Sequence, residues 1–147
     1  MKKIGILLLI TITCWALPAG AKMMSIGKEN VNIRSGPSLQ SDILYQAPLG
    51  YPIKVLENKG KWARFTDWEG NSGWIYSPLL SKIHTVVVSA RKPNIRKGPG
   101  LRNSIVMRAN RGDIFKALAQ KGNWVKIGYY YSGDTIGWIR NDLIWGE

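Results

Sequence analysis

Two stretches decide how this chain is read: Asn32-Ile33-Arg34-Ser35-Gly36-Pro37 and Asn94-Ile95-Arg96-Lys97-Gly98-Pro99. They lie 62 residues apart, and the register they set runs outward without a gap. Leu39 falls on Leu101, Ile43 on Ile105, Ala47 on Ala109, Gly50 on Gly112, and Trp62 on Trp124. From Asn32 to Phe65, 14 of 34 positions are identical, so duplication is the simplest account. Beyond Phe65 and Ile127 the second copy gains two residues in a Tyr129-Tyr130-Tyr131 loop. Gly73-Trp74-Ile75 then meets Gly137-Trp138-Ile139.

Each copy consists of short apolar or alternating runs broken by turn residues, a β pattern with no sustained helical period. The spacing predicts five strands in copy one, at residues 23–26, 43–47, 51–56, 62–65 and 73–76. Copy two repeats them at 85–90, 105–109, 113–118, 124–128 and 136–140. Short strands with frequent turns predict an all-β chain of two small closed barrels, over residues 22–81 and 85–147, since closure removes exposed edges. Gly60 and Gly122 suit hairpin turns, and Gly36 and Gly98, each before a proline, fix an extended loop. Gly73 and Gly137, each just before a tryptophan, predict close backbone approach. The recurring Trp62, Trp74, Trp124 and Trp138 are expected to be structural, with bodies buried at the barrel centres.

Asn-x-Arg-x-Gly-Pro, a glycine before an apolar strand, Gly-x-Trp, and Gly-Trp-Ile-x-x-x-x-Leu/Ile occur in this order twice. The ordered set resembles the bacterial SH3-like (SH3b) domain, over residues 23–80 and 85–144. The resemblance implies a barrel of five to seven strands, used as a targeting or binding module, often for peptidoglycan or other envelope polymers. Copy two departs from the pattern in Pro93 and in its longer tyrosine loop.

The N-terminus reads as a signal peptide of residues 1–21: Lys2 and Lys3, an apolar run over residues 4–17, then Ala19-Gly20-Ala21. Cleavage is expected between Ala21 and Lys22, giving an exported, periplasmic or extracellular protein with no stable transmembrane segment after processing. An uncleaved anchor is an alternative. A lipoprotein acylated at Cys14 is another, although the residues before Cys14 lack the usual small neighbour. Cys14 is the only cysteine, so the processed chain would hold no disulfide and no thiol nucleophile. His84 is the sole histidine and falls between the copies, which argues against a base and against a zinc site. The acids sit mostly in turns and form no repeated pair of the kind glycosidases use. The expectation is a chain with no catalytic residues, no cofactor and no metal.

Charge divides unevenly between the copies. Residues 22–81 carry 7 basic and 5 acidic side chains, net +2, whereas residues 82–147 carry 12 and 4, net +8. A partner of opposite sign is implied, and an exported protein does not ordinarily meet nucleic acid. This leaves cell-wall or other anionic envelope polymers. Arg91, Lys92, Arg96, Lys97, Arg102, Arg108 and Arg111 fall in one acid-free stretch, read as mostly a long loop after the first strand. The candidate ligand-binding set is Arg96, Arg102, Arg108 and Arg111, joined by Tyr129, Tyr130 and Tyr131. Arg34 and Arg96 recur in copies of unequal charge, which also suits a shared structural hydrogen bond. An envelope protein recognised by an aromatic groove is the competing partner.

Overall fold

A computed structural model describes residues 20–147. The signal-peptide reading falls almost wholly on residues 1–19, outside the described ones, and no described helix is long and apolar enough to cross a membrane.

The first copy folds into β1 (Lys22–Ile26), β2 (Val31–Arg34), β3 (Ile43–Ala47), β4 (Pro52–Lys59), β5 (Trp62–Thr66), β6 (Ser72–Tyr76) and β7 (Leu80–Ser81). A single 3-10 turn, Ser77–Leu79, leads into β7. The second copy repeats the order with β8 (Thr85–Val88), β9 (Asn94–Arg96), β10 (Ile105–Arg108), β11 (Ile114–Lys121), β12 (Trp124–Gly128), β13 (Thr135–Arg140) and β14 (Ile144–Trp145). Strand order is β3-β2-β6-β5-β4-β1-β7 in one sheet and β10-β9-β13-β12-β11-β8-β14 in the other. Each sheet curls round one core: Ile26, Val31, Ile33, Ala47, Ile53, Val55, Ala63, Phe65 and Ile75 come from six different strands and pack as one cluster. The second cluster is its counterpart, with Phe115, Val125, Ile127 and Ile139.

Three expectations need correction. The tryptophans do not occupy the centres. On β5, Ala63 and Phe65 point inward, so strict alternation turns Trp62, Arg64 and Thr66 outward, and Trp62, Trp74, Trp124 and Trp138 are all half-buried on outer faces. The cores are aliphatic, each with one phenylalanine. Nor does hydrogen bonding close the barrels, because β3 and β7, and β10 and β14, remain edges of their sheets. Finally, each copy has seven strands rather than five. The additional strands are β2 and β7 in copy one and β9 and β14 in copy two; β2 and β9 are short and carry Asn and Arg, so the basic stretch holds β9 as well as the expected strand β10.

Gly137 shows why a glycine precedes Trp138: a Cβ there would lie 2.6 Å from the Arg96 carbonyl oxygen. At Gly73 the crowding comes instead from the Ile33 side chain. The hairpin glycines Gly60 and Gly122 take φ of 58° and 56°.

The two barrels are in direct contact. All four residues of β8 are buried; Val86 and Val88 enter the second core, leaving Thr85 and Val87 on the other face. The buried Thr85 hydroxyl donates to the Gly50 carbonyl of the first barrel at 2.6 Å. Between the sheets, Ser25 Oγ donates to Ile83 O at 2.7 Å, and Ala117 N donates to His84 O at 2.9 Å. The connector is thereby tied to both sides.

Candidate functional site

The repeated Asn-x-Arg-x-Gly-Pro segment builds the same loop twice. Arg34 Nη1 donates to the carbonyls of Leu39 and Ser41 at 2.9 and 2.8 Å, and Arg96 Nη1 to that of Asn103 at 2.9 Å. One arm of each arginine therefore holds its loop.

On the outer face of the sheet these arginines begin a row. Arg34 on β2 pairs with Trp74 on β6, Trp74 with Arg64 on β5, and Arg64 with Glu57 on β4. The second barrel aligns Arg96, Trp138, Lys126 and Ala119 on β9, β13, β12 and β11. Directly opposed residues of antiparallel strands share a face, so each half-buried indole lies between two cations. The rows differ at one end: Glu57 binds Arg64 at 2.7 Å, whereas Ala119 leaves Lys126 without such a partner.

The same face of the first barrel carries an aromatic groove. Trp62 and Tyr76 meet edge to face with centroids 5.7 Å apart. With Pro37 and Leu39 they wall a groove of about 520 Å³, beside a recess of about 320 Å³ that also takes in Lys28, Arg34 and Leu79. In the second barrel Arg140 stands opposite Trp124 and pairs with Asp142 at 2.6 Å.

The other candidate residues are dispersed. Arg102 is exposed between β9 and β10, and Arg108 at the end of β10 donates through Nε to Asn94 Oδ1 at 3.2 Å. Around them Leu101, Ile105, Val106 and Met107 are exposed, so this edge mixes cations with apolar side chains. Arg111 belongs elsewhere: it donates to Ser89 O at 2.7 Å and lies over the Trp68 ring of the first barrel. Tyr130 packs toward Gly50 and meets Tyr131 edge to face at 5.3 Å, while Tyr129 and Tyr131 are exposed. Among the described residues the one cation-π contact is Arg111 over Trp68, so the structure does not bring an arginine onto Tyr129, Tyr130 or Tyr131.

The first barrel also holds a polar cluster that no sequence motif announces. Asp67, 3% exposed, accepts through Oδ2 from Tyr51 (2.9 Å), Tyr45 (3.2 Å) and Asn71 Nδ2 (3.1 Å). Its Oδ1 accepts from the backbone N–H of Glu69 and Asn71, fixing the turn that presents Trp68. Burial, together with the Asp67 charge and hydrogen bonds, pushes both phenols well above their ordinary range. The available signal was a break in the repeat, since Tyr45 and Tyr51 correspond to Met107 and Asp113.

Two family models, each described as a bacterial SH3 domain, match residues 27–82 and 91–144. The chain belongs to the bacterial SH3 domain family, with two such domains in tandem. Over 130 residues it is 24% identical to "Putative N-acetylmuramoyl-L-alanine amidase YrvJ" of Bacillus subtilis strain 168, covering 81% of this chain and 24% of that protein. Similar solved structures include NlpC2 from Trichomonas vaginalis, 18% identical with a TM-score of 0.38, covering 90% of this chain and 50% of the other. Another is an NlpC/P60 family protein from Bacillus cereus ATCC 10987, 13% identical with a TM-score of 0.40, covering 84% and 56%. The chain thus spans about a quarter of the curated relative and about half of each solved chain.

Proposed function

We propose that this is an exported, non-catalytic binding protein whose tandem SH3b domains hold a cell-envelope polymer, either peptidoglycan or an anionic glycopolymer. The observation that carries the reading is the net charge of +8 over residues 82–147, displayed on a module of a family that implies binding. Membership of that family and the amidase name of the relative support an envelope setting. The side-chain inventory supports a binding rather than a chemical role. His84 is exposed, its Nε2 is 2.7 Å from the Gly146 carbonyl oxygen, and the hydroxyl of the adjacent Thr85 is engaged with the Gly50 carbonyl.

The test is retention of the chain on purified sacculi across a salt series, with and without Arg102→Glu and Arg108→Glu. Retention that falls steeply with salt and with both reversals is expected. Retention insensitive to both would refute the electrostatic reading.

A second reading has one specific observation in its favour. The Pro37, Leu39, Trp62 and Tyr76 groove of the first barrel suits an extended peptide, so an envelope protein is the alternative partner. Capture of one defined protein, persisting at high salt and lost in Trp62→Ala, would favour it.

A further inference from the structure

We infer that the row Arg96, Trp138, Lys126 is a platform for a saccharide ring bearing a carboxylate or phosphate, and that Glu57 holds the matching row of the first barrel in a masked state. The inference rests on the envelope-polymer reading and names the surface and the ligand chemistry.

Three observations lead to it. First, the indoles recur in register, yet both lie on outer faces away from the cores, so filling a centre does not explain them. An outward indole offers a flat apolar surface to the C–H face of a sugar ring. Secondly, the neighbours on both sides are cations in both barrels. Adjacent strands are about 4.8 Å apart, so an anionic substituent on a ring stacked over the indole falls within reach of a cation on either side. Arg96 spends Nη1 on the Asn103 carbonyl, which orients a guanidinium whose other N–H groups suit a carboxylate or phosphate. Thirdly, the copies differ where the ligand charge would be read. Glu57 on Arg64 supplies an internal carboxylate in the first barrel, while Ala119 supplies none in the second. The acid is absent from the barrel that carries the positive field.

The reciprocal exchange tests this. Glu57 and Ala119 are both exposed strand residues, so Glu57→Ala and Ala119→Glu are expected to fold, which unchanged thermal melts would verify. Retention on sacculi should fall about tenfold in Ala119→Glu and rise about two- to threefold in Glu57→Ala. Two soluble probes, N-acetylmuramic acid for the carboxylate and N-acetylglucosamine 6-phosphate for the phosphate, identify the anion. At least one should shift the Trp138 indole N–H resonance, and neutral N-acetylglucosamine should shift it less. Wild-type retention that neither exchange alters would overturn the platform while leaving the polymer reading intact. Absence of retention, with no shift from either anionic probe, would overturn both. A shift as large with the neutral sugar would overturn the role of the cations.

Discussion

The guanidinium carbon of Arg111 stands 4.7 Å from the ring centroid of Trp68, one residue from each barrel. Its hydrogen bond to Ser89 O holds the arginine in place, and the Asp67 turn holds the tryptophan. Removing the guanidinium in Arg111→Ala should cost about 0.5–1 kcal/mol, as expected for a cation-π contact near the surface. Thr85→Val, which leaves the buried Gly50 carbonyl without its donor, should cost about 1–3 kcal/mol. Denaturant melts should show one transition in the wild type that resolves into two in the variants and their combination, as the barrels uncouple.

Asp67 is the most connected polar group of the first barrel, with both carboxylate oxygens accepting hydrogen bonds. Asp67→Ala removes the acceptor of two half-buried tyrosine hydroxyls and releases the turn, at a cost of about 2 kcal/mol or more. Calorimetry should show a first-barrel transition split off to lower temperature, ahead of that of the second barrel.

The same cluster gives an alkaline signature. The Tyr45 and Tyr51 phenols are raised in the folded state, whereas in the unfolded chain they ionise near the ordinary value of about 10. Their contribution to stability is therefore full below that value and is lost as pH rises above it, because only the unfolded state releases the protons. In an ultraviolet titration, phenolate absorbance from these two side chains should appear only with unfolding. The double variant Tyr45→Phe, Tyr51→Phe should lack that late phase.

Phe65 and Trp138 offer a direct comparison of inside with outside. Phe65 is fully buried in the first core, and Phe65→Ala should cost about 3–5 kcal/mol. Trp138, half-buried on an outer face, should cost less on truncation despite its larger ring. Equal losses in chemical denaturation would return the indole to a structural role.

The repeat made the fold legible, because two copies in register separate shared turns and apolar positions from noise. Legibility failed where residue size was weighed above alternation. In Trp62-Ala63-Arg64-Phe65 the charged Arg64 shares a face with Trp62, and the small Ala63 shares the inward face with Phe65, so the outward direction of the indole is written in the period-two pattern. β2 and β9 were hidden because Asn and Arg point outward from strands of only four and three residues. Of the candidate residues, Arg102 and Arg108 lie exposed before and at the end of β10, whereas, in a separation that sequence position does not reveal, Arg111 stands apart from them. Its partner Trp68 lies 43 positions away in the chain, in the other copy, and only the fold joins them. The cation-indole rows depend on strand register across neighbours distant in sequence, so no local motif announces them.

The bond from Thr85 to Gly50 has one more consequence. With the connector tied at both ends, the outer faces of the barrels keep a constant separation, and the pair works as a gauge. Under the envelope-polymer proposal, a polymer touching both faces would gain avidity only when its repeat is commensurate with that span, so selectivity would arise from distance as well as from chemistry.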